Sequence, residues 1–193
     1  MSQVQLKKDT KHLHDEIERI MYTKEIMDGS LSLVQYKHLV ITNYRVTRCY
    51  EQAIGNDMSP QLAGRLEIHK RSKLTTLVED LKDLGIDFQQ LTFHPASLTA
   101  LNDDFILGCL YVLEGATLGG HVIFKRLVSN PQLAHLHLNF HYYQVYGERL
   151  IPNWNQLVLE LNQKSVQGYE TILSGAQFIY NEYIRLHNGM STQ

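Results

Sequence analysis

Gly115, Gly119 and Gly120 interrupt the segment YVLEGATLGGHV, Tyr111 to Val122, which otherwise has the composition of a buried helix. Each glycine in a helix interior costs about 0.5–1 kcal/mol relative to alanine. A helix that carries three so close together must place its backbone where a side chain would obstruct. Their spacing leaves a notch on adjoining faces of the helix. Three arrangements call for such a notch: a flat ligand passing close to the backbone, tight packing of a second helix, or a break in the helix.

A second segment narrows the choice. In LKKDTKHLHDEIERIM, Leu6 to Met21, the residues Leu6, Leu13, Ile17, Ile20 and Met21 fall on one arc at about 100° per residue, the mark of an amphipathic helix with a core-facing stripe. His14 sits at the edge of that arc, whereas His12 projects to the opposite, solvent side. Lys7 lies seven residues earlier on nearly the same face, about 10 Å away along the axis. An imidazole and a cation so separated suit a ligand with a metal at its centre and charge at its rim, and protohaem has that layout.

These motifs resemble the haem oxygenase family, and more closely its bacterial, biliverdin-producing branch that supplies bilin to phytochromes. LKKDTKHLHDEIE is similar to the family's proximal helix, GATLGGHV to the distal helix, and YGERLIPNW, Tyr146 to Trp154, to a segment of the bacterial branch. The resemblance implies an all-α helical bundle, one domain over residues 1–193, with haem sandwiched between proximal and distal helices. It makes His14 the axial iron ligand, with Glu18 as a candidate hydrogen-bond partner for the ring. It assigns Gly115, Gly119 and Gly120 to the distal catalytic face, and Lys7 and Arg149 to the propionates. Tyr111 is compatible with a propionate hydrogen bond and with simple packing, and Trp154 reads first as core. The implied reaction is O2- and electron-dependent opening of haem to biliverdin, ferrous iron and carbon monoxide. Many family members carry an aspartate after the first distal glycine, where this chain has Ala116. Proton delivery is therefore open among water, Glu114, Thr117, His121 and residues of other helices.

Composition bounds the alternatives. A chain of 193 residues, 44% hydrophobic, buries enough surface to fold without a disulfide or structural metal. Eighteen basic residues against twenty acidic ones, with no extended basic run, exclude a nucleic-acid platform. Cys49 and Cys109 have no paired spacing and read as reduced thiols. The N-terminus lacks the apolar core of a secretory signal, no stretch reaches about 18 uninterrupted apolar residues, and the polar tail lacks the anchor of animal haem oxygenases, so a cytoplasmic protein is expected. No flavin or dinucleotide motif is present, which calls for an external donor such as a ferredoxin or a reductase.

The chain reads as helical throughout. Ser32 caps a helix running to about Ile54, Ser59 and Pro60 open the next, and the Leu74–Leu84 pattern stops at Gly85. Ser97 is the expected start of one long glycine-notched helix closed by Asn130 and Pro131. Leu136 to Tyr143 alternates in period two and reads as an extended connection. Pro152 starts another helix, and Ile172, Ala176, Ile179 and Ile184 mark the last. Two competing functions remain: a non-catalytic haem carrier or sensor, and a non-haem member of the helical superfamily. The second lacks support, because a ferritin-like di-iron site needs Glu-x-x-His pairs and the sequence has none.

Overall fold

The computed structural model describes residues 3–92, 94–95 and 102–189, and every structured segment among them is helical or a turn. The N-terminal amphipathic stretch forms α1 (Gln3–Asp9) and α2 (Lys11–Ile20). They join at Thr10, whose hydroxyl donates to the Leu6 carbonyl at 2.8 Å and whose carbonyl accepts the His14 N–H at 3.0 Å. The single helix expected from Leu6 is thus two nearly continuous pieces starting at Gln3. After α3 (Thr23–Asp28), Ser32 caps α4 (Leu33–Asp57) through a reciprocal capping box with Gln35. Ser59 accepts the Leu62 N–H at the start of α5 (Pro60–Leu66), and α6 (Leu74–Asp83) ends just before Gly85, whose φ is +66°.

The notched segment departs from its expected form in one respect. Asn102 caps α7 (Asp103–Leu118) by accepting the Phe105 N–H at 2.9 Å, while Ser97 lies outside the described residues. Gly119 then interrupts the helix, and α8 (Gly120–Val128) continues from it. One long helix is therefore two, broken within the glycine pair. Asn130 closes α8 by donating to the Leu31 carbonyl at 3.1 Å, which ties it to the α3–α4 link.

Leu136 to Tyr143 does not form the extended connection that its alternation suggests. Short 3₁₀ turns at Ala134–Leu136 and His141–Gln144 are separated by left-handed residues at His137 and Phe140, φ +52° and +54°. The turns carry Phe140, Tyr142 and Tyr143 inward together. Buried Asp80 of α6 holds this strap, accepting the N–H groups of His141 at 2.7 Å and Tyr142 at 2.9 Å. α9 (Leu150–Gln163) starts two residues before Pro152, which occupies its first turn, where no intrahelical donor is needed. In α10 (Tyr169–Asn188), Ile172, Ala176 and Ile179 are buried as their spacing predicts.

α7 and α10 make the most extensive helix pair. A Cβ on Gly108 would lie 1.9 Å from the Ile172 carbonyl oxygen, and one on Gly175 would lie 2.0 Å from that of Phe105. The two helices meet backbone to backbone at this crossing. One hydrophobic cluster gathers around it and includes Val46, Tyr50, Leu107 and Ile179. A second gathers Ile26, Tyr36, Leu39, Leu77 and Tyr142. The stretch Asp103–Val128 is long and apolar enough to cross a membrane by composition, yet 61% of its apolar window is buried inside the fold, so the core accounts for its hydropathy.

Candidate functional site

Between the two hydrophobic clusters lies a cavity of about 610 Å³. Lys7 of α1 and His14 and Ile17 of α2 form one wall, and Tyr111, Val112, Gly115, Ala116 and Gly119 form the facing one. Asn43 of α4, the strap residues Tyr142 and Tyr143, and Tyr180 and Tyr183 of α10 line the rest, with Trp154 of α9 beside Gly115. The amphipathic N-terminal segment and the notched helix thus converge on one space from widely separated parts of the chain.

His14 is the imidazole on this wall, with its side chain 54% exposed. Its Nδ1 lies 3.8 Å from Glu18 Oε2, beyond hydrogen-bonding range, and its ring stands edge-on to Tyr180 with centroids 6.5 Å apart. Neither ring nitrogen is engaged by another described residue, so one is available to a ligand in the cavity. His12 is exposed and does not line the space.

The glycines divide by what surrounds them. A Cβ on Gly115 would meet only Trp154 ring carbons at 3.8 and 3.9 Å, and one on Gly119 only the Ile123 side chain at 3.5 and 4.0 Å. These are ordinary van der Waals contacts, so nothing in the protein itself demands glycine at either position. Gly120 is different. It does not line the cavity, and its Cβ would sit 2.9 Å from the Tyr143 carbonyl oxygen. Close packing of α8 on the strap accounts for it, which corrects its expected place on the distal face.

Lys7 lines the open end of the cavity and has no acidic partner among the described residues. Tyr111 is buried; burial raises its phenol, while hydrogen bonding with Thr10 and Gln3 lowers it and ties the hydroxyl to the α1–α2 junction. Its ring tilts 40° against Trp154 at 5.8 Å. Arg149 is a correction: it pairs with Glu67 on α5's far end and is absent from the cavity wall, because the loop it belongs to turns toward α5. The partner is 82 residues away, and nothing local in YGERL announces it.

The named proton-delivery candidates also lie elsewhere. Thr117 donates to the Glu114 carbonyl at 2.7 Å, His121 is exposed, and Glu114 is buried against Arg71 and Lys73. None of the three lines the cavity. Its polar groups come instead from residues the sequence did not single out. Tyr183 donates to Asn43 Oδ1 at 3.3 Å, and Asn43 Nδ2 donates to the Leu39 carbonyl at 3.0 Å. Burial pushes Tyr183 up to about 12 and holds Tyr142 and Tyr143 well above the usual phenol range, so all three are neutral donors at pH 7. Eleven tyrosines are spread through the chain, and no local pattern distinguishes these three.

The residues present fit a haem. The cavity volume falls in the range of about 300–1,000 Å³ usual for cofactor sites. Its lining includes Gln3, Lys7 and Glu18 as well as the His14 imidazole, with Met21, Ile26 and Met27 among its apolar members. That composition suits an amphiphilic disc with a metal at its centre, charged groups on its rim and apolar substituents elsewhere. Two glycines on the facing wall leave close backbone access over the disc.

Comparison with known proteins agrees. A family model described as heme oxygenase matches residues 2–186. A heme oxygenase of Xanthomonas campestris pv. campestris (strain 8004) is 29% identical over 158 residues, covering 80% of this chain and 90% of the relative. The NO- and CO-bound heme oxygenase of Neisseria meningitidis superposes with a TM-score of 0.70 at 19% identity, covering 96% of this chain and 89% of that one, and shares the fold. From the converging cavity walls and the match along nearly its whole length, the chain belongs to the haem oxygenase family of haem-degrading oxidoreductases.

Proposed function

We propose that the protein opens haem with O2 and external electrons, releasing biliverdin, ferrous iron and carbon monoxide. The observation that carries this reading is the convergence of a free His14 imidazole and the bare backbone of Gly115 and Gly119 on one cavity. Haem, when bound, supplies the iron that activates O2 and the macrocycle that is oxidised.

The chain's own residues hold and shape that chemistry. His14 would hold the iron through one ring nitrogen, with Glu18, whose Oε2 lies 3.8 Å from Nδ1, the nearby acceptor that would orient the ring. Gly115 and Gly119 keep side chains out of the space in front of α7, where a bound macrocycle would lie. Ala116, Val112 and Leu118 make that wall apolar, and the cavity lining among the described residues holds no guanidinium and no imidazole besides His14, so nothing on the α7 wall would favour O–O cleavage over ring attack. With Ala116 in the aspartate's place, the Tyr183–Asn43 pair and the Tyr142 and Tyr143 hydroxyls are the groups able to hold water for proton delivery. Lys7 neutralises a propionate, and Tyr111 lines the facing wall with its hydroxyl tied to Thr10 and Gln3. Electrons come from a separate ferredoxin or reductase, the protein works in the cytoplasm, and a phytochrome is one acceptor for the bilin.

The test is direct. Haemin added to the purified protein should give a Soret band with histidine-ligated spectra, and ascorbate or reduced ferredoxin in air should then convert it to bilin absorbance. A stable haem complex that never yields bilin would assign the chain to the carrier class instead, the alternative that Ala116 makes less remote.

A further inference from the structure

Glu114 stands directly before the first cavity glycine, inside a run of α7 that is otherwise apolar, and only 2% of its side chain is exposed. Its carboxylate faces away from the cavity into a fully satisfied polar knot. Oε2 accepts from Arg71 Nη1 at 3.3 Å, and Oε1 accepts from Lys73 Nζ at 2.9 Å. The Tyr146 hydroxyl accepts from Lys73 Nζ at 3.1 Å and lies 3.0 Å from Glu114 Oε1 and 2.8 Å from the Arg71 carbonyl oxygen, either of which takes its hydrogen. Lys73 Nζ spends its third donor on the Arg71 carbonyl at 3.0 Å. Arg71 reaches on to the Leu66 carbonyl, the Asn153 carbonyl and Gln156.

One carboxylate on α7 therefore joins the α5–α6 link, the segment that follows the strap and, through Arg71, α9. A buried ion cluster of this kind contributes little net stability, because desolvation offsets most of the attraction; what it can fix is register. The register here matters twice over. Glu114 shares a peptide bond with Gly115, and Tyr146 lies three residues after Tyr143, just past the 3₁₀ turn His141–Gln144 that lays Tyr142 and Tyr143 on the cavity wall.

We propose that Glu114 is a positioning residue which, bound to Arg71, Lys73 and Tyr146, sets the distance between the Gly115 backbone and the strap tyrosines and so decides which edge of the bound macrocycle is open to attack. The inference rests on reading α7 as the distal helix. The knot takes over from behind the helix the organising role that an aspartate at position 116 has no part in here.

Two variants test it in the full-length, haem-loaded protein. Tyr146→Phe removes one hydroxyl and leaves every charge in place. The double variant Lys73→Met/Glu114→Gln removes one cation with one anion, so the three-residue cluster keeps its net charge of +1, two cations less one carboxylate before and Arg71 alone after. The readouts are the ferric Soret band, which reports His14; the C–O stretch of the ferrous carbon monoxide complex, which reports the facing wall; and the ratio of bilin isomers. Both variants are expected to keep the wild-type Soret band while shifting the C–O stretch and changing the isomer ratio, the double variant more. Wild-type C–O stretch and isomer ratio in a folded Tyr146→Phe protein overturn the proposal alone. A wild-type protein that shows no histidine-ligated spectrum overturns it together with the proposed function. If the double variant does not fold, Tyr146→Phe decides the matter.

Discussion

Gly108 and Gly115 lie two turns apart on α7, and a methyl group added at each would meet very different surroundings. At Gly108 it would press to 1.9 Å from a backbone oxygen of α10; at Gly115 it would rest 3.8 Å from the edge of an indole. The first half of the helix spends its glycine on a helix crossing, with Gly175 answering from the other side. The second half has no protein neighbour that calls for glycine, and its bare backbone faces a cavity. Within one helix, tight packing and close ligand approach are therefore separated along the axis. Missing side chains signal a site only where the fold leaves the space in front of them open.

Substitution at the crossing should have the largest effect. Gly108→Ala forces two backbones apart, and overpacking against main chain should cost about 3 kcal/mol or more. At roughly 2–4 °C per kcal/mol for a chain of this size, thermal unfolding should shift down by about 6–12 °C. An unchanged melting temperature would mean that the helices do not touch there, and the contrast would collapse.

Gly119→Leu is the opposite experiment. The Gly119 backbone, φ −72° and ψ −8°, is one that leucine adopts readily, and its Cβ meets only the flexible Ile123 side chain, so stability should stay within about 1 kcal/mol of wild type. Bilin formation should fall by roughly 100-fold, about 2.7 kcal/mol of barrier, because leucine fills the space over the ring. Unfolding in the absence of haem would instead show that this glycine serves packing, like Gly108.

Lys7→Glu should have the smallest effect, since the lysine is exposed and water screens its charge. A change of about 1 kcal/mol, roughly a fivefold weaker haem dissociation constant, is expected by titration, with iron ligation intact and the bilin isomer ratio altered. Equal affinity and identical isomers would return Lys7 to the solvated surface.

Much of this contrast was legible in the chain, and the remainder was hidden for physical reasons. Local signals did their work: Ser32, Ser59 with Pro60, and Gly85 each act within one turn, and the structure starts α4 and α5 and ends α6 where they predict. Lys7 and His14 come from one short local motif and Gly115 and Gly119 from another, and the structure brings all four to the lining of one cavity. Gly108 looked like one small residue in an apolar run; its meaning depends on Gly175, 67 positions later. Arg149 was misplaced for the same reason, its partner Glu67 being remote in sequence. The alternation of Leu136 to Tyr143 imitates an extended segment, but left-handed turns at His137 and Phe140 redirect it, and neither residue type advertises that conformation. Glu114 did leave a signal: a carboxylate inside a run buried on all sides requires a charged partner, although the sequence does not say which.

The central claim is that the α2 imidazole and the cavity half of α7 address the same bound disc, and one titration tests it most directly. Ferric haemin is added to wild type and to His14→Ala, and the Soret region and helical circular dichroism are followed together. Wild type should bind with a histidine-ligated spectrum; His14→Ala, whose half-exposed side chain is engaged by no hydrogen bond, should keep its helical signal and lose that ligation. An axial-histidine spectrum that survives in His14→Ala and disappears in a variant of another histidine would contradict the account.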